Sequence, residues 1–367
     1  MSGLRVIIAG GGTGGHIFPA IAIGHALQQL QPGAQLLFVG ARNKMEMEKV
    51  PQEGFEIIGL DIAGFNRSSI WKNISLPIKL LRSRLQARNI IKQFAPGAIV
   101  GVGGYASFPV LHAGQSMNIP TLIQEQNSFA GKSNKILGKR AKAVCVAYEN
   151  MERFFPAGKI TITGNPVRKS ISEMGKAGAD GKAWYGLPVE RKTILIVGGS
   201  LGAKSINESV DAQLDELMKE DVQLIWQTGK HYFEQAVKRA DAYPGRIKVF
   251  EFIREMDHAY DAADMVVSRA GALAIAELCI AGKPVIFVPY PFASENHQTS
   301  NAMALVVRNA ALLVKDSEAK KELIKNLKTL LHDKALQETM SMNLKEMAIR
   351  DADERIAKKV IEIADNG

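Results

Sequence analysis

The sequence predicts an α/β protein made of two doubly wound, Rossmann-like halves, each with a parallel sheet covered by helices on both faces. Short apolar runs alternate with helical segments along the chain, and a glycine-rich loop follows the first apolar run of each half. The length of 367 residues suffices for two domains. Such a protein binds its ligand in a cleft between the halves, beyond the carboxyl ends of the strands.

The first half begins with a strand at 4–9, which the glycine-rich loop 10–16 joins to a helix from Pro19 to about Leu30. Proline suits a first helical turn, so we place Pro19 there. The elements that follow are expected as strands at 35–39, 98–102, 121–124 and 143–146, and as helices at 45–50, 78–93 and 133–139.

The second half repeats this order, with a strand at 193–197, a glycine-rich loop at 198–203 and a helix to about residue 219. Its further strands are expected at 223–227, 248–250, 265–267 and 284–288. The polar segment 173–186 is expected to be a linker. We place the domains at 1–168 and 169–345, and expect 346–367 to be a C-terminal helix that packs back on the N-terminal domain.

Composition excludes several classes of protein. With 46% hydrophobic and 23% charged residues, the chain is neither disordered nor fibrous. It lacks the run of about 18 apolar residues of a membrane-spanning helix, and because its first residues enter a predicted strand we expect no signal peptide. Cys145 and Cys279 lie in apolar stretches without metal-ligand spacing, so we expect two reduced, buried thiols and a cytoplasmic chain.

The positive charge is concentrated in one stretch. Of the 46 Lys and Arg residues, set against 37 Asp and Glu, seven cations lie between Asp61 and Glu125, where there is no acidic residue. A localised basic face indicates an acidic partner: nucleic acid, anionic lipid or a phosphorylated substrate.

Apolar residues within this stretch recur at the spacing of one helical face, and Pro77 suits the first turn of their helix. The spacing also fits a helix that faces the core and has a solvated basic face. The missing acidic residues favour an anionic membrane surface instead. The predicted membrane-binding residues are Trp71, Ile74, Ile78, Lys79, Leu81, Arg82 and Leu85.

The first glycine-rich loop matches the spacing of a dinucleotide-binding fingerprint at Gly10, Gly12 and Gly15. The acidic residue that should hold a ribose about 20 residues further on is missing, because the first acid is Glu46. The loop can still bind an anion through its N–H groups, or it is a turn needed only for packing. His16 follows the loop, where an imidazole can accept a proton near neutral pH.

The second half offers an anion site of its own. Gly271 and Ala272 leave the start of a helix open to a phosphate. Glu277, one to two turns further on, is placed to accept hydrogen bonds from vicinal ribose hydroxyls; the alternative is an ordinary surface glutamate. Near the strand ends there is no Asp-x-Asp pair, so we expect no catalytic metal.

Eight motifs of the chain occur in the order that is found in the MurG family of N-acetylglucosaminyltransferases, which the chain resembles from about Leu4 to Glu354. The motifs are GGTGGH (11–16), GGYAS (103–107), EQN (125–127), GNPVR (164–168), GGSLGA (198–203), EFI (251–253), RAGAL (269–273) and QTSNA (298–302). The resemblance implies a GT-B fold, with two doubly wound domains facing across a cleft, and an inverting transfer without a cofactor.

The implied donor is UDP-N-acetylglucosamine, and the implied acceptor is lipid I, undecaprenyl-pyrophosphoryl-N-acetylmuramoyl-pentapeptide. A peripheral position on the cytoplasmic face of the bacterial plasma membrane follows from the resemblance, with no nucleic acid partner. Other proteins of cell-wall synthesis and division are among the implied partners.

Carried over residue by residue, the resemblance gives the chain a set of ligand contacts. Within it, the Ile253 backbone would read uracil, the Ala272 helix end would hold the diphosphate, and Glu277 would hold the ribose. Ala270 stands where serine is common, which removes one hydroxyl contact to the phosphates. The donor contacts are Thr13, Gly14, Gly15, Asn127, Arg168, Ser200, Ile253, Ala272, Leu273, Ala274, Ile275, Ala276, Glu277 and Gln298, and the acceptor contacts are Gly103, Gly104 and Tyr105.

In the implied reaction, the muramoyl 4-hydroxyl attacks the anomeric carbon of the donor sugar and UDP leaves. A base must take the hydroxyl proton, and we expect His16 in this role, with Glu125 as the second candidate. Three alternatives stay open. A UDP-sugar 2-epimerase shares the fold but needs no basic, apolar face. A NAD-dependent dehydrogenase is disfavoured by the missing acid, and the third alternative is a non-enzymatic, membrane-associated nucleotide-binding module.

Overall fold

The computed structural model describes residues 3–62, 76–175 and 180–366. They form two compact units, Met1–Arg168 together with Asp351–Gly367, and Lys169–Arg350. Each unit has its own parallel sheet, so the predicted pair of doubly wound domains is confirmed.

The first unit contains a seven-stranded sheet in the order β3-β2-β1-β4-β5-β6-β7, with every pair parallel. Chain order reverses between β1 and β4, and in sheets of this kind ligands bind at the carboxyl edge beside such a reversal. The strands are β1 (Arg5–Ala9), β2 (Gln35–Ala41), β3 (Glu56–Leu60), β4 (Ala98–Gly101), β5 (Thr121–Glu125), β6 (Ala143–Val146) and β7 (Ile160–Ile162).

Helices cover both faces of this sheet. Helix α1, with the C-terminal helix of the chain, packs on one face through residues such as Ile17 and Val360, and α3, α4 and α5 pack on the other. The helices before the second unit are α1 (Gly14–Leu30), α2 (Glu46–Gln52), α3 (Leu76–Phe94), α4 (Ser107–Ser116) and α5 (Lys132–Gly138).

The second unit contains a six-stranded parallel sheet in the order β10-β9-β8-β11-β12-β13. Its strands are β8 (Lys192–Val197), β9 (Val222–Gln227), β10 (Ile247–Phe250), β11 (Met265–Ser268), β12 (Val285–Phe287) and β13 (Leu312–Leu313). Its helices are α6 (Lys169–Ser172), α7 (Gly181–Trp184), α8 (Lys204–Ala212), α9 (Leu214–Met218), α10 (Phe233–Ala240), α11 (Met256–Ala262), α12 (Ala272–Ala281), α13 (His297–Val306), α14 (Ala319–His332) and α15 (Lys334–Glu346), and α16 (Ala352–Asp365) then returns to the first unit.

Three local predictions are wrong. Helix α1 begins at Gly14, so Pro19 lies inside it and removes the bond that residue 19 would donate to the carbonyl of Gly15. The expected single helix to residue 219 is two, α8 and α9, interrupted at Gln213. The described part of the predicted linker contains α7, which the Gly181 N–H fastens to Asp261 Oδ2 at 2.7 Å.

Both cysteines are buried and free, as predicted. Burial raises the pKa of the Cys145 and Cys279 thiols to about 12. In the described part of the chain, no helix combines the length and the apolar character needed to cross a bilayer.

Candidate active site

The first glycine-rich loop, between β1 and α1, is fastened by a buried carboxylate. Glu46 is the first residue of α2 and is 1% exposed. Its Oε2 accepts a hydrogen bond from the Gly12 N–H at 2.9 Å, and its Oε1 accepts one from the Ala41 N–H at 2.9 Å. Sequence reasoning noted Glu46 only as an acid too far along the chain. The signal that could have found it is its place just after β2, the neighbour of β1.

The loop after β4 packs directly against this first loop. A β-carbon on Gly104 would lie 2.0 Å from the carbonyl oxygen of Gly11, and one on Gly103 would lie 2.8 Å from Cε1 and Nδ1 of His16. Both glycines have positive φ, +94° and +85° for Gly103 and Gly104. Only glycine therefore lets the two loops approach so closely.

The structure thus brings together several predicted residues of the first unit. Thr13 is exposed and occupies the N-cap position of α1, and His16, in the first turn, is half-buried against Gly103. Tyr105 is 48% exposed and passes close to Gly12. Gly14 and Gly15 belong to the first turn of α1, where helical N–H groups are available to a ligand.

Glu125 lies at the end of β5 and is 3% exposed. Its Oε2 accepts hydrogen bonds from Asn134 Nδ2 at 2.8 Å and from the Gly131 N–H at 3.1 Å. Its Oε1 accepts from the N–H and the side-chain amide of Asn127, at 3.1 and 3.3 Å. Burial raises the pKa of Glu125, and these four donors oppose that rise. The Glu125 carboxylate therefore holds together the loop that follows β5, and it orients Asn127.

The segment that ends in Arg168 is tied to the loop after β5. Asn165 accepts from Gln124 Nε2 at 2.9 Å and donates to the Gln126 carbonyl at 3.0 Å. The Arg168 guanidinium stands 5.9 Å from the centre of the Phe18 ring on α1. Asn127 and Arg168 therefore lie on the carboxyl edge of the same sheet as His16.

In the second unit, the loop between β8 and α8 turns sharply at the same edge of its sheet. Gly199 and Gly202 have φ of +84° and +77°, and a β-carbon on Gly202 would lie 1.9 Å from the Thr228 carbonyl oxygen. Gln227 Nε2 donates to the Gly199 carbonyl at 2.7 Å. Ser200, between the two glycines, is exposed.

Helix α12 begins at Ala272 behind Gly271, whose missing side chain leaves open space, with nothing within 4 Å of a β-carbon built there. Glu277 is 6% exposed, and its Oε2 accepts a hydrogen bond from the Tyr260 hydroxyl at 3.1 Å. The interpretation of Glu277 as a surface glutamate is therefore wrong. Among the predicted contacts on this helix, Leu273, Ala274 and Ala276 are half-buried.

Ile275 differs from its neighbours on α12. Its side chain is 3% exposed, and its N–H donates within the helix to the Gly271 carbonyl at 3.0 Å. The Ile275 side chain therefore packs inside the unit and its N–H is used within the helix, and its contact with a donor stays a prediction.

Arg269, just before α12, is a residue whose role sequence reasoning missed. Its Nη1 donates to the carbonyls of Val288 and Pro289, at 2.9 and 3.2 Å, and to the Asp316 carboxylate. Its Nη2 donates to Ser205 Oγ at 3.1 Å. The guanidinium thus fastens the start of α12 to the ends of neighbouring elements. No sequence pattern joins these residues, which are far apart along the chain.

The two remaining predicted donor contacts are Ile253, after a strand, and Gln298, at the start of a helix. Ile253 follows β10 and its side chain is 3% exposed, which leaves its backbone as the group that could contact a ligand. Gln298, in the first turn of α13, accepts from the Tyr290 N–H through Oε1 at 2.9 Å. That bond turns the amide nitrogen of Gln298 away from Tyr290.

The predicted membrane-binding residues are only partly described. Trp71 and Ile74 lie outside the described residues, as do the side chains of Ile78 and Lys79 in α3. Leu81 and Leu85 are 59% and 55% exposed, and Arg82 is exposed. The buried face of this helix is formed instead by Ser83, Ala87 and Ile91. For Leu81 and Leu85, the interpretation as a core-facing stripe is therefore wrong.

Comparison with known proteins shows the family to which the chain belongs. Residues 6–146 match the N-terminal domain of glycosyltransferase family 28, and residues 193–356 match its C-terminal domain. A protein of Bacteroides thetaiotaomicron named UDP-N-acetylglucosamine--N-acetylmuramyl-(pentapeptide) pyrophosphoryl-undecaprenol N-acetylglucosamine transferase is 52% identical over 368 residues, 99% of this chain and 98% of that protein.

Among solved structures, MurG of Acinetobacter baumannii superposes with a TM-score of 0.78 at 32% identity, over 98% of this chain and 99% of that one. A UDP-N-acetylglucosamine 2-epimerase superposes with a TM-score of 0.67 at 14% identity, over 100% of this chain and 98% of that one, which shows a shared fold and nothing more. The similarity to the Bacteroides thetaiotaomicron protein and to Acinetobacter baumannii MurG extends along essentially the whole chain, and both family 28 domains are matched. The protein therefore belongs to the MurG family of glycosyltransferases.

Proposed function

We propose that the protein transfers N-acetylglucosamine from UDP-N-acetylglucosamine to the 4-hydroxyl of the N-acetylmuramoyl group of lipid I, which gives lipid II and UDP. Membership of the family supports the reaction class. The observation that carries the proposal is the buried Glu277 carboxylate, held by Tyr260 behind the open start of α12. An anion site followed by a carboxylate acceptor suits a nucleoside diphosphate, since the first can hold its phosphates and the second its ribose hydroxyls.

In the proposed donor complex, the diphosphate lies at the start of α12, where N–H groups and the helix dipole favour negative charge. Glu277 accepts hydrogen bonds from the ribose hydroxyls, and the Ile253 backbone contacts uracil. The same helix end stabilises the charge that develops on the leaving diphosphate. Arg269 supports this arrangement indirectly, by holding the loop that leads into α12.

The proposed chemistry is a single displacement. The acceptor O4 forms a bond to the anomeric carbon while the bond from that carbon to the phosphate oxygen breaks, and the electron pair leaves on UDP. The configuration of the sugar is inverted. The hydroxyl proton passes to the imidazole of His16, which is the better candidate base because the four hydrogen bonds accepted by Glu125 commit both of its oxygens to its own loop.

The acceptor and membrane surface belong to the first unit in this proposal. Gly103, Gly104 and Tyr105 pack beside the first glycine-rich loop, which supports an acceptor site there. The exposed Leu81, Arg82 and Leu85 support attachment of α3 to the anionic cytoplasmic face of the plasma membrane. This attachment would bring the enzyme to a substrate that is anchored in the bilayer.

The test is incubation with radiolabelled UDP-N-acetylglucosamine and a short-chain lipid I analogue. The proposal predicts that label moves into the lipid product and that the donor stays unchanged when the acceptor is omitted. Conversion of the donor to its 2-epimer without acceptor would instead support the epimerase alternative.

A further inference from the structure

We propose that Glu46 is a positioning residue for the proposed transfer reaction: its carboxylate occupies the anion position of the first glycine-rich loop and thereby holds His16 in place. This inference rests on the proposed function, because it assigns to His16 the proton of the acceptor hydroxyl. Glu46 itself lies beneath the loop, 1% exposed, and would touch no substrate.

The first glycine-rich loop is built closely around the Glu46 carboxylate. A β-carbon on Gly11 would lie 2.2 Å from Glu46 Oε1, and one on Gly40 would lie 2.5 Å from Glu46 Cγ. Glycine at both positions therefore makes room for the Glu46 side chain. With hydrogen bonds from Gly12 and Ala41, each oxygen has a backbone donor at 2.9 Å. Hydrogen bonds to an ionised acceptor are the strong ones, so the carboxylate fixes the loop to the end of β2.

The position of this loop determines the position of His16. The Thr13 carbonyl accepts the His16 N–H at 3.0 Å and the Ile17 N–H at 3.1 Å, so the loop sets the start of α1. On its other side, Gly11 abuts Gly104, and the His16 ring abuts Gly103. With no space between these groups, a shift of Gly11 and Gly12 must move the imidazole. Misplacing a catalytic group by about 1 Å can cost about 100-fold in rate.

The Glu46 carboxylate also limits what the first loop can bind. In a dinucleotide-binding loop of this spacing, backbone N–H groups of the loop hold a pyrophosphate. Here the Gly12 N–H is already bonded to a carboxylate, whose charge would repel a phosphate at the same position. The Gly12 N–H is therefore used to hold the loop and, through it, His16, while the predicted donor contacts of this loop lie further on, at Thr13, Gly14 and Gly15.

The test is Glu46→Gln, which keeps the size of the side chain but turns an acceptor oxygen into a donor nitrogen facing an N–H. We expect kcat to fall roughly 10- to 100-fold, with a smaller change in the KM for UDP-N-acetylglucosamine, of about twofold, because most of the predicted donor contacts lie in the second unit. Glu46→Asp, which keeps the charge, is expected to recover part of the loss. The matched control is Glu48→Gln, an exposed glutamate on the same helix, which should behave as wild type.

A double-mutant cycle with His16→Ala separates positioning from a general loss of structure. If Glu46 acts through His16, adding Glu46→Gln to His16→Ala costs little further activity. A full, additive loss on that background, or wild-type kcat in Glu46→Gln, overturns the inference. Should Glu46→Gln not fold, Glu46→Asp carries the same cycle. Failure of the proposed function shows differently, as absence of transfer by the wild-type enzyme.

Discussion

The Tyr260 hydroxyl on α11 donates a hydrogen bond to Glu277 Oε2 on α12 across 3.1 Å, and both side chains are almost fully buried. A carboxylate enclosed in this way has few orientations. It can meet a rigid pair of ribose hydroxyls without first losing rotamer freedom, which is a general advantage in binding.

This pair gives the first prediction. Glu277→Ala should raise the KM for UDP-N-acetylglucosamine, or abolish activity, since roughly 1–3 kcal/mol is lost when polar groups are left unpaired. Tyr260→Phe should act in the same direction and less strongly. Steady-state kinetics in the donor, with the exposed Glu234→Ala as control, provide the measurement. Unchanged donor kinetics in Glu277→Ala would show that Glu277 does not bind the ribose.

The contact between Gly103 and His16 gives the second prediction. Gly103→Ala should displace the imidazole, and its kcat should approach that of His16→Ala, for which we expect a loss of about 10² to 10⁴. Gly54→Ala is a matched control, because Gly54 has a similar φ of +82° and nothing within 4 Å of a β-carbon. The Gly54→Ala variant has a similar backbone strain, but its new β-carbon does not collide with another side chain.

Two outcomes would contradict this second prediction. One is a Gly103→Ala variant that loses thermal stability like Gly54→Ala yet keeps wild-type kcat. The other is a His16→Ala variant with near-normal turnover beside an inactive Glu125→Ala, which would make Glu125 the base.

The third prediction concerns membrane binding. Each cation near an anionic surface contributes about 1 kcal/mol, so Lys79→Glu combined with Arg82→Glu should sharply weaken sedimentation with phosphatidylglycerol vesicles. Leu81→Ser with Leu85→Ser should weaken it through lost apolar contact. Lys230→Glu with Lys238→Glu, at two exposed lysines of the second unit, is the control for the change of charge. Ile136→Ser, at a side chain that is 57% exposed, is the control for the loss of an exposed apolar residue. Equal binding by all variants at moderate salt would refute the assignment.

The fourth prediction follows from the two buried thiols. Because burial raises the pKa of Cys145 and Cys279 to about 12, the thiolate fraction at pH 8 is on the order of 10⁻⁴. A chromogenic thiol reagent should therefore modify neither cysteine in the folded protein, and both after denaturation. Rapid reaction of either thiol in the native state would show that its surroundings are more open than described.

The fold was predictable where a strand is apolar throughout, as in β6, since such runs have few alternatives. Strands β7 and β13, at sheet edges, and β3, with alternating exposure, escaped prediction because they carry few buried residues. The site was predictable where a motif is continuous, as for His16 and Glu277. The contacts of Glu46 with Gly12 and of Arg269 with Ser205 join residues 34 and 64 positions apart, and only the folded chain brings them together.

The central claim is a single displacement at the anomeric carbon by the acceptor 4-hydroxyl. Nuclear magnetic resonance of the purified disaccharide product, formed from UDP-N-acetylglucosamine and a short-chain lipid I analogue, tests it most directly. The account predicts a β linkage to O4 of the muramoyl group, because attack opposite the leaving UDP inverts the α-linked donor. An α linkage, or attachment at another hydroxyl, would contradict it.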